Sequence, residues 1–217
     1  MYKKRAQSNR HFLNTDSLKS HYQSLFRKFG DSYLSAQYSS KESQHRRFKF
    51  LTEIADLKNA VVLDYGCGTG ELLEYLNSQG ISIQDYIGVD IVPEFLEIAR
   101  EKFPAHKFVE GPGIHNLKFD YALISGVFNN KVEDNRAFWQ KTITNLFSSC
   151  RRGVAFNLMS TYVDYFDSEL FYESPEEVFK YIKSNVSPYV SLRHDFDTKL
   201  GTIPFEFAVY VYRESRS

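Results

Sequence analysis

The chain has 217 residues, and its 27 Lys and Arg side chains are balanced by 27 Asp and Glu side chains. This length suits one domain, with or without an N-terminal extension. The zero formal net charge gives no support for a nucleic-acid or membrane partner, which usually shows as a basic excess. Two cysteines exclude a disulfide framework, and the absence of a CxxC or Cys/His cluster predicts no metal. No apolar run reaches the roughly 20 residues of a membrane span. No apolar stretch follows the basic start of the chain, so we expect a cytoplasmic protein.

The first part of the chain is polar and is predicted to hold two helices. Residues 1–20 show little periodicity and are interpreted as a loosely packed arm. Apolar and aromatic residues three or four apart then predict a helix over 18–29, which Gly30 and Asp31 end. Residues 32–40 are expected to form a loop or short turn. A second helix begins near Glu42 and carries Phe48 and Leu51 on one face.

From residue 60 onward, strands and helices alternate. Strands are expected at 60–64, 86–90, 107–110, 120–125 and 153–159, and helices at 70–79, 93–103 and 133–150. A capping box at 174–177 starts a helix through about residue 184. Two final strands, 189–196 and 205–212, follow each other without a helix and should pair antiparallel. The pattern predicts an α/β, Rossmann-like doubly wound sheet of about seven strands with helices on both faces. Most strands are parallel, and one antiparallel strand lies at an edge near the C-terminus.

The most informative stretch links the first strand to its helix. Asp64 ends the strand, and Gly66, Gly68 and Gly70 follow at alternate positions. Glycines allow a sharp turn and close approach of a ligand, and a new helix aims free N–H groups at that point. Asp90, at the end of the second strand, can accept hydrogen bonds from both ribose hydroxyls of an adenosine. The GxxxxGK[ST] phosphate loop is absent. An NAD site remains open, although the third glycine comes one residue early for it.

These residues resemble the signature of class I S-adenosylmethionine-dependent methyltransferases, over about residues 42–213. The resemblance implies S-adenosyl-L-methionine as cofactor and S-adenosyl-L-homocysteine as product. It also implies that Asp64 and the glycines hold the amino-acid end, that Asp90 holds the ribose, and that Ile91 packs on the adenine. Many family members carry an Asp after the third strand, where this chain has Pro112. The expected cofactor-binding residues are Asp64, Tyr65, Gly66, Cys67, Gly68, Gly70, Asp90, Ile91, Gly111, Pro112, Ser125 and Gly126.

The chain is also similar to a bacterial subgroup of these enzymes, which implies no particular acceptor. The shared segments are Ser43–Phe48, residues 125–129 and residues 155–157. We expect residues 1–41 to form an N-terminal arm and helix that acts as a lid, and residues 42–217 to form the methyltransferase domain. The candidate substrate-binding residues are Tyr33, Tyr38, Gln44, Arg47, Phe128, Asn129 and Asn157.

The reaction expected from the resemblance is in-line methyl transfer to a small-molecule acceptor. The donor is already activated, so the enzyme supplies alignment and desolvation, and a base is needed only if the acceptor loses a proton. Candidate bases are His115 and Tyr162, with Asp164 and His194 as further possibilities. Motifs of amino-group and cytosine nucleic-acid methylation are absent. A non-catalytic S-adenosylmethionine-binding protein and an NAD-dependent oxidoreductase are the alternatives.

Overall fold

A computed structural model describes residues 15–111, 114, 117–199 and 201–216. The helices are α1 (Thr15–Phe29), α2 (Lys41–Thr52), α3 (Glu71–Ser78), α4 (Pro93–Lys102), α5 (Asn135–Ser149) and α6 (Pro175–Asn185). The strands are β1 (Val61–Tyr65), β2 (Asp85–Asp90), β3 (Lys107–Glu110), β4 (Phe119–Ile124), β5 (Cys150–Ser160), β6 (Tyr172–Glu173), β7 (Tyr189–Arg193) and β8 (Glu206–Tyr212). The predicted helices and strands are all present, with ends shifted by a few residues.

The sheet has the order β3-β2-β1-β4-β5-β8-β7, and β6 pairs separately with β5. Strands β1 to β5 are parallel, and β8 is antiparallel to both β5 and β7. The mixed α/β sheet is confirmed, but placing the reversed strand at the edge was wrong. All seven residues of β8 are buried, whereas β7 is largely half-exposed. The more apolar strand therefore takes the inner position, and β7 forms the edge.

Two short elements were not predicted. Residues Tyr33–Ala36 form a 3-10 helix, whose first N–H groups are capped by the Ser32 side chain. Strand β6 contains only two residues, which are too few to give a periodic signal. It pairs with Met159 and Ser160 at the end of β5, where the chain leaves the sheet.

Helices cover both faces of the sheet. On one face, α5 and α6 bury Trp139, Ile143 and Ile182 against β4, β5 and β8. On the other face, α2 and α3 bury Leu51 and Leu76 against the same sheet. Because both faces are covered, the central strands are nearly continuous apolar runs. No helix in the described part of the chain is long and apolar enough to cross a membrane.

Strand order reverses between β1 and β4, since β2 and β3 lie on one side of β1 and β4 and β5 on the other. In open α/β sheets, ligands bind beyond the carboxyl ends of the strands at such a reversal. The turns that follow β1, β2 and β4 all leave the sheet at this edge. The fold therefore places the glycine turn, Asp90 and the Ser125–Gly126 exit of β4 around one crevice.

Candidate functional site

The glycine turn after β1 is held across the end of β2. The N–H groups of Gly66 and Cys67 both donate to the Val89 carbonyl, at 2.7 and 3.0 Å. Gly66 has φ of 83°, and a Cβ there would overlap the side chain of Val127. A larger residue at this position would therefore be strained and would also push away the loop that leaves β4.

Asp90 is tied to this turn through both carboxylate oxygens. One oxygen accepts a hydrogen bond from Gly68 N–H and the other from Val92 N–H, each at 2.9 Å. Burial raises the pKa of Asp90 in spite of these two backbone donors, which lower it. The carboxylate is thus fixed at the end of β2 and keeps acceptor capacity for a ligand, because an ionised carboxyl group has about four lone-pair sites.

Asp64, at the end of β1, is a buried acid without a cationic partner among the described residues. Its Oδ2 accepts a hydrogen bond of 2.5 Å from the Tyr86 hydroxyl, and only 3% of its surface is exposed. Burial raises the pKa of Asp64 to about 7, the Tyr86 hydrogen bond lowers it, and the nearby Asp90 raises it further. A bound cation would stabilise the charged form of this carboxylate.

A mainly apolar cavity of about 410 Å³ lies over these residues, and we name it the first cavity. Its volume falls within the range usual for small-ligand pockets. The N-terminal segment contributes part of the lining, including Tyr22, Tyr38 and Gln44. The expected cofactor residues that line it are Asp64, Tyr65, Gly66, Cys67, Gly68, Asp90, Ile91, Gly111, Ser125 and Gly126.

A second, more polar cavity of about 1210 Å³ adjoins the first, and we name it the second cavity. Tyr22, Ala36, Tyr38 and Gly126 line both and so form their boundary. Its other lining residues come from α1, the segment before α2, α2, the loop after β4, the end of β5, the segment before β6, the β7–β8 connection and β8. The fold thus provides two adjoining compartments, one over the glycine turn and one beneath the N-terminal segment.

Comparison with known proteins decides the family. A family model described as "Methyltransferase domain" matches residues 62–155. The candidate methyltransferase Rv1506c of Mycobacterium tuberculosis is 31% identical over 161 residues, which cover 70% of this chain and 92% of that protein. The chain is a class I S-adenosylmethionine-dependent methyltransferase. Its cofactor is S-adenosyl-L-methionine, and S-adenosyl-L-homocysteine is the product.

Solved structures support the fold of the enzyme. Magnesium protoporphyrin IX methyltransferase from Synechocystis PCC 6803, with bound S-adenosylmethionine, superposes with a TM-score of 0.66 at 15% identity and covers 95% of this chain and 100% of that one. The small RNA methyltransferase HEN1 superposes with a TM-score of 0.57 at 19% identity, covering 81% of this chain and 26% of that one. Neither the oxidoreductase nor the non-catalytic alternative is supported by these comparisons.

Two of the expected cofactor residues, Gly70 and Pro112, are not among the described residues that line the first cavity. Gly70 precedes α3 with φ of 88°, and a Cβ there would lie 2.8 Å from the Phe103 ring. Gly70 thus allows the end of α4 to pack closely against the turn. Gly70 is not among the residues that line the first cavity. Pro112 lies outside the described residues, while the neighbouring Gly111 donates its N–H to the Asp90 carbonyl at 2.8 Å.

Helix α1 is docked on the enzyme through α4. Tyr22 and Phe26 make edge-on ring contacts with Phe95, at centroid distances of 6.5 and 5.3 Å. The Gln23 side chain donates to Glu94 at 2.8 Å. These contacts hold α1 beside the first cavity, whose lining includes Leu18 and Tyr22.

Arg47 and Asn157, two candidate substrate contacts, meet in a buried network. Arg47 forms a two-pronged ion pair with Glu206 of β8 and also donates to the Ser43 carbonyl at 2.9 Å. Asn157 donates to Glu206 at 2.6 Å and accepts from Gly126 N–H at 2.9 Å. The network connects α2 to the turn that lines both cavities. Arg47 also lines the second cavity, but its described hydrogen bonds go to protein groups.

The other candidate substrate residues occupy different environments. Phe128 is 1% exposed and packs between Phe138 and Phe156 in the core. Tyr33 is half-buried in the 3-10 helix and lines neither cavity. Gln44 lines the first cavity, Asn129 lines the second, and Tyr38 lines both. The set is therefore divided between the core, the 3-10 helix and the two cavities.

None of the candidate bases that the structure describes lines either cavity. The Tyr162 side chain is 58% exposed and donates to Glu176 on the surface. His194 Nε2 lies 2.9 Å from the Pro204 carbonyl, and Asp164 is exposed. His115 lies outside the described residues. Tyr162 and His194 are thus engaged in local contacts rather than directed at the cavities.

Several residues that line the cavities were not predicted as site residues, among them His21, Tyr22 and Asn130. Tyr22 was assigned to the apolar face of the first helix, and His21 precedes it on the same turn. The one sequence signal for a site here is that polar side chains adjoin the apolar face of this helix. That signal indicates a site only once it is known that α1 covers the sheet edge.

The first prediction concerns the buried charge of Asp64. Because its folded pKa is raised from the ordinary value, ionisation in the folded state costs stability as pH rises from about 4 to about 7. Asp64→Asn should therefore raise the free energy of unfolding by about 1–2 kcal/mol at pH 8 and by less at pH 5. Urea unfolding at both pH values measures this. Asp164→Asn, at an exposed position, is the control, and an unchanged or lower stability of Asp64→Asn at pH 8 would contradict the assignment.

The second prediction concerns the buried pair of Arg47 and Glu206. Arg47→Met leaves Glu206 charged and unpaired, which should cost about 3–5 kcal/mol in urea unfolding. The double variant Arg47→Met/Glu206→Met should recover at least half of that loss. Arg46→Met is the matched control, because its partner Glu42 is at the surface, and it should change stability by about 0.5 kcal/mol or less. Equal effects of the two single variants would be inconsistent with a buried pair.

Proposed function

We propose that this methyltransferase transfers a methyl group from S-adenosylmethionine to a small-molecule acceptor bound in the second cavity. The observation that carries the proposal is the arrangement of two adjoining cavities with a shared boundary at Tyr22, Ala36, Tyr38 and Gly126. The first cavity adjoins the glycine turn and both buried acids. The second cavity is larger and more polar, and α1 and the 3-10 helix cover it.

The residues of the first cavity fit the cofactor. Asp90 would accept the ribose hydroxyls, since its carboxylate is fixed at the end of β2. Asp64 would face the cationic α-amino group, which supplies the positive charge that this buried carboxylate lacks. Ile91 would pack on the adenine, and the backbone of Gly111 would border it. Glycines at 66 and 68 let the backbone approach the ligand without a side chain between them.

The protein itself contributes to the reaction by positioning the acceptor against the cofactor and by excluding water from the site. When bound, the cofactor supplies an electrophilic methyl group on a sulfonium. The Ser125–Gly126 turn is fixed by Tyr38 on one side, whose hydroxyl lies 3.0 Å from Ser125 Oγ, and by Asn157 on the other. This turn and the lid would hold the acceptor in line with the methyl group, which is the main requirement of an in-line displacement.

The charges of the enzyme favour a small acceptor over a nucleic acid. The chain has no net charge, and the lining of the second cavity holds three cationic residues, Arg47, Lys131 and Lys199, and three acidic ones, Asp167, Glu169 and Glu206. A nucleic-acid site usually presents a basic surface for the phosphates. We further propose that residues 1–41 serve as the lid and residues 42–217 as the methyltransferase domain.

The third prediction tests the acceptor class. The enzyme is incubated with methyl-labelled S-adenosylmethionine and a bacterial extract separated by dialysis into small molecules and macromolecules. Label should enter the small-molecule fraction with the wild type and with Asp85→Ala, an exposed position on the same strand as Asp90. Asp90→Ala should reduce the labelling about 100-fold, because two charge-assisted hydrogen bonds to the ribose are lost. Label confined to the nucleic-acid and protein fraction would contradict the proposal.

A further inference from the structure

The second cavity contains polar atoms that have no partner within the protein. His21 Nε2 and Asn129 Oδ1 are buried atoms without a hydrogen bond, and both residues line this cavity. Buried polar atoms in folded proteins are normally paired. An unpaired atom at a cavity wall is therefore a place where a ligand is expected to bind.

The hydrogen-bonding chemistry of these two atoms indicates which class of ligand can bind to them. An amide oxygen only accepts hydrogen bonds, and a neutral imidazole accepts at one nitrogen. A hydroxyl group can donate to such atoms, whereas a carboxylate or a fully ionised phosphate has no proton to donate. A protonated amine can donate, but its nitrogen has no lone pair with which to attack a methyl group. Both unpaired atoms therefore favour a ligand with hydroxyl groups.

The charges in the second cavity favour an uncharged ligand. Arg47 is paired with Glu206, and Lys131 donates to the Ser168 carbonyl at 2.8 Å. The other charged lining residues are Asp167, Glu169 and Lys199, of which Glu169 and Lys199 are exposed. Lys131 and Asp167 are half-buried and of opposite sign, and the three cationic and three acidic side chains among the described lining residues balance. The lining therefore carries no net charge that would select an anion or an ammonium group.

Asn129 lines the second cavity close to Gly126, which lines both cavities. Its N–H donates to the Gly126 carbonyl at 3.3 Å. A Cβ built on Gly126 would lie 3.0 Å from the Tyr38 hydroxyl and 3.7 Å from Asn129 Nδ2. The Asn129 amide and the Tyr38 hydroxyl therefore flank the glycine that lines both cavities.

The boundary tyrosines cannot take a proton from the acceptor near neutral pH. Burial raises the pKa of Tyr22 and of Tyr38, so both hydroxyls remain protonated. Among the described residues of the second cavity, His21 is the one histidine. Histidine is the usual general base in enzymes, and the Nε2 atom of His21 has no competing partner in the protein.

We propose that the second cavity binds an uncharged, polyhydroxylated acceptor, that Asn129 accepts a hydrogen bond from it, and that His21 is the general base. This inference rests on the proposed function. The acceptor oxygen forms a bond to the methyl carbon, the sulfur keeps the electron pair of the broken S–C bond, and the hydroxyl proton passes to His21 Nε2. The product is a methyl ether.

The test begins with binding to the full chain loaded with S-adenosylhomocysteine. Calorimetry first establishes that this product binds; failure at this step would overturn the proposed function itself. The probes are D-glucose, D-galactose, D-mannose, D-xylose and myo-inositol, with glucuronate, glucose 6-phosphate and glucosamine as charged counterparts. At least one neutral probe should shift the ¹⁵N signal of the His21 imidazole, assigned with His21→Gln. If S-adenosylhomocysteine binds but no neutral probe shifts this signal, or only charged ones do, the inference is overturned.

The variants then separate catalysis from structure, using the neutral probe that binds best and labelled S-adenosylmethionine. His21→Gln should retain probe binding and lower the methyl-transfer rate at saturating probe about 100-fold or more. Asn129→Ala should weaken probe binding about tenfold. His106→Gln, which changes a histidine beside Asp85 and outside both cavities, is the matched control and should change neither. Equal loss of binding and rate in His21→Gln, or no loss of rate, would contradict the assignment.

Discussion

The site depends on two buried carboxylates at the ends of neighbouring parallel strands. Asp64 lies one residue before the end of β1, and Asp90 is the last residue of β2. The glycine turn between β1 and α3 is hydrogen-bonded to the end of β2 through Val89 and Asp90. Burial raises the cost of ionising both acids, and the nearby Asp90 adds to that cost for Asp64. The burial that destabilises Asp64 in the free protein is the same property that would make it bind a cationic group tightly. The arrangement costs stability, and a positively charged ligand would offset that cost.

The second constraint is the connection between α2 and the sheet. Arg47 on α2, Glu206 on β8 and Asn157 on β5 form one buried network that ends on the N–H of Gly126. Buried ion pairs are costly unless their remaining hydrogen bonds are satisfied, and here each partner has a further contact. We infer that the network fixes the turn after β4 relative to the N-terminal helices. The residues that line both cavities come from α1, from the 3-10 helix and the residues after it, and from the turn after β4.

Much of the fold could be predicted because its signals are local. The glycine turn, the helix start at Ser174 and the apolar strands each depend on neighbours in sequence, and all were confirmed. Of the expected capping box, Ser174 accepts from Glu177 N–H, whereas its own N–H donates to Glu173 rather than to Glu177. The position of β8 inside the sheet could not be predicted, since it depends on pairing with β5 about 50 residues away. The same limit applies to the site. Asp64 and Asp90 lie at strand ends and could be predicted to face the crevice, whereas Tyr22 and Asn130 meet only because α1 folds across the sheet edge. For Arg47 nothing in the sequence indicated the buried ion pair with Glu206, because the two residues are 159 positions apart.

The central claim is that Asp64 is a buried carboxylate whose charged form is stabilised by the cofactor's ammonium group. If so, binding of S-adenosylhomocysteine at pH 7 must release protons, because Asp64 is about half protonated in the free enzyme and ionised in the complex. Calorimetry in two buffers of different ionisation enthalpy measures this directly. The account predicts release of up to about half a proton per molecule bound, less at pH 8, and no release in Asp64→Asn. A binding enthalpy of the wild type that is independent of the buffer at pH 7 would contradict it.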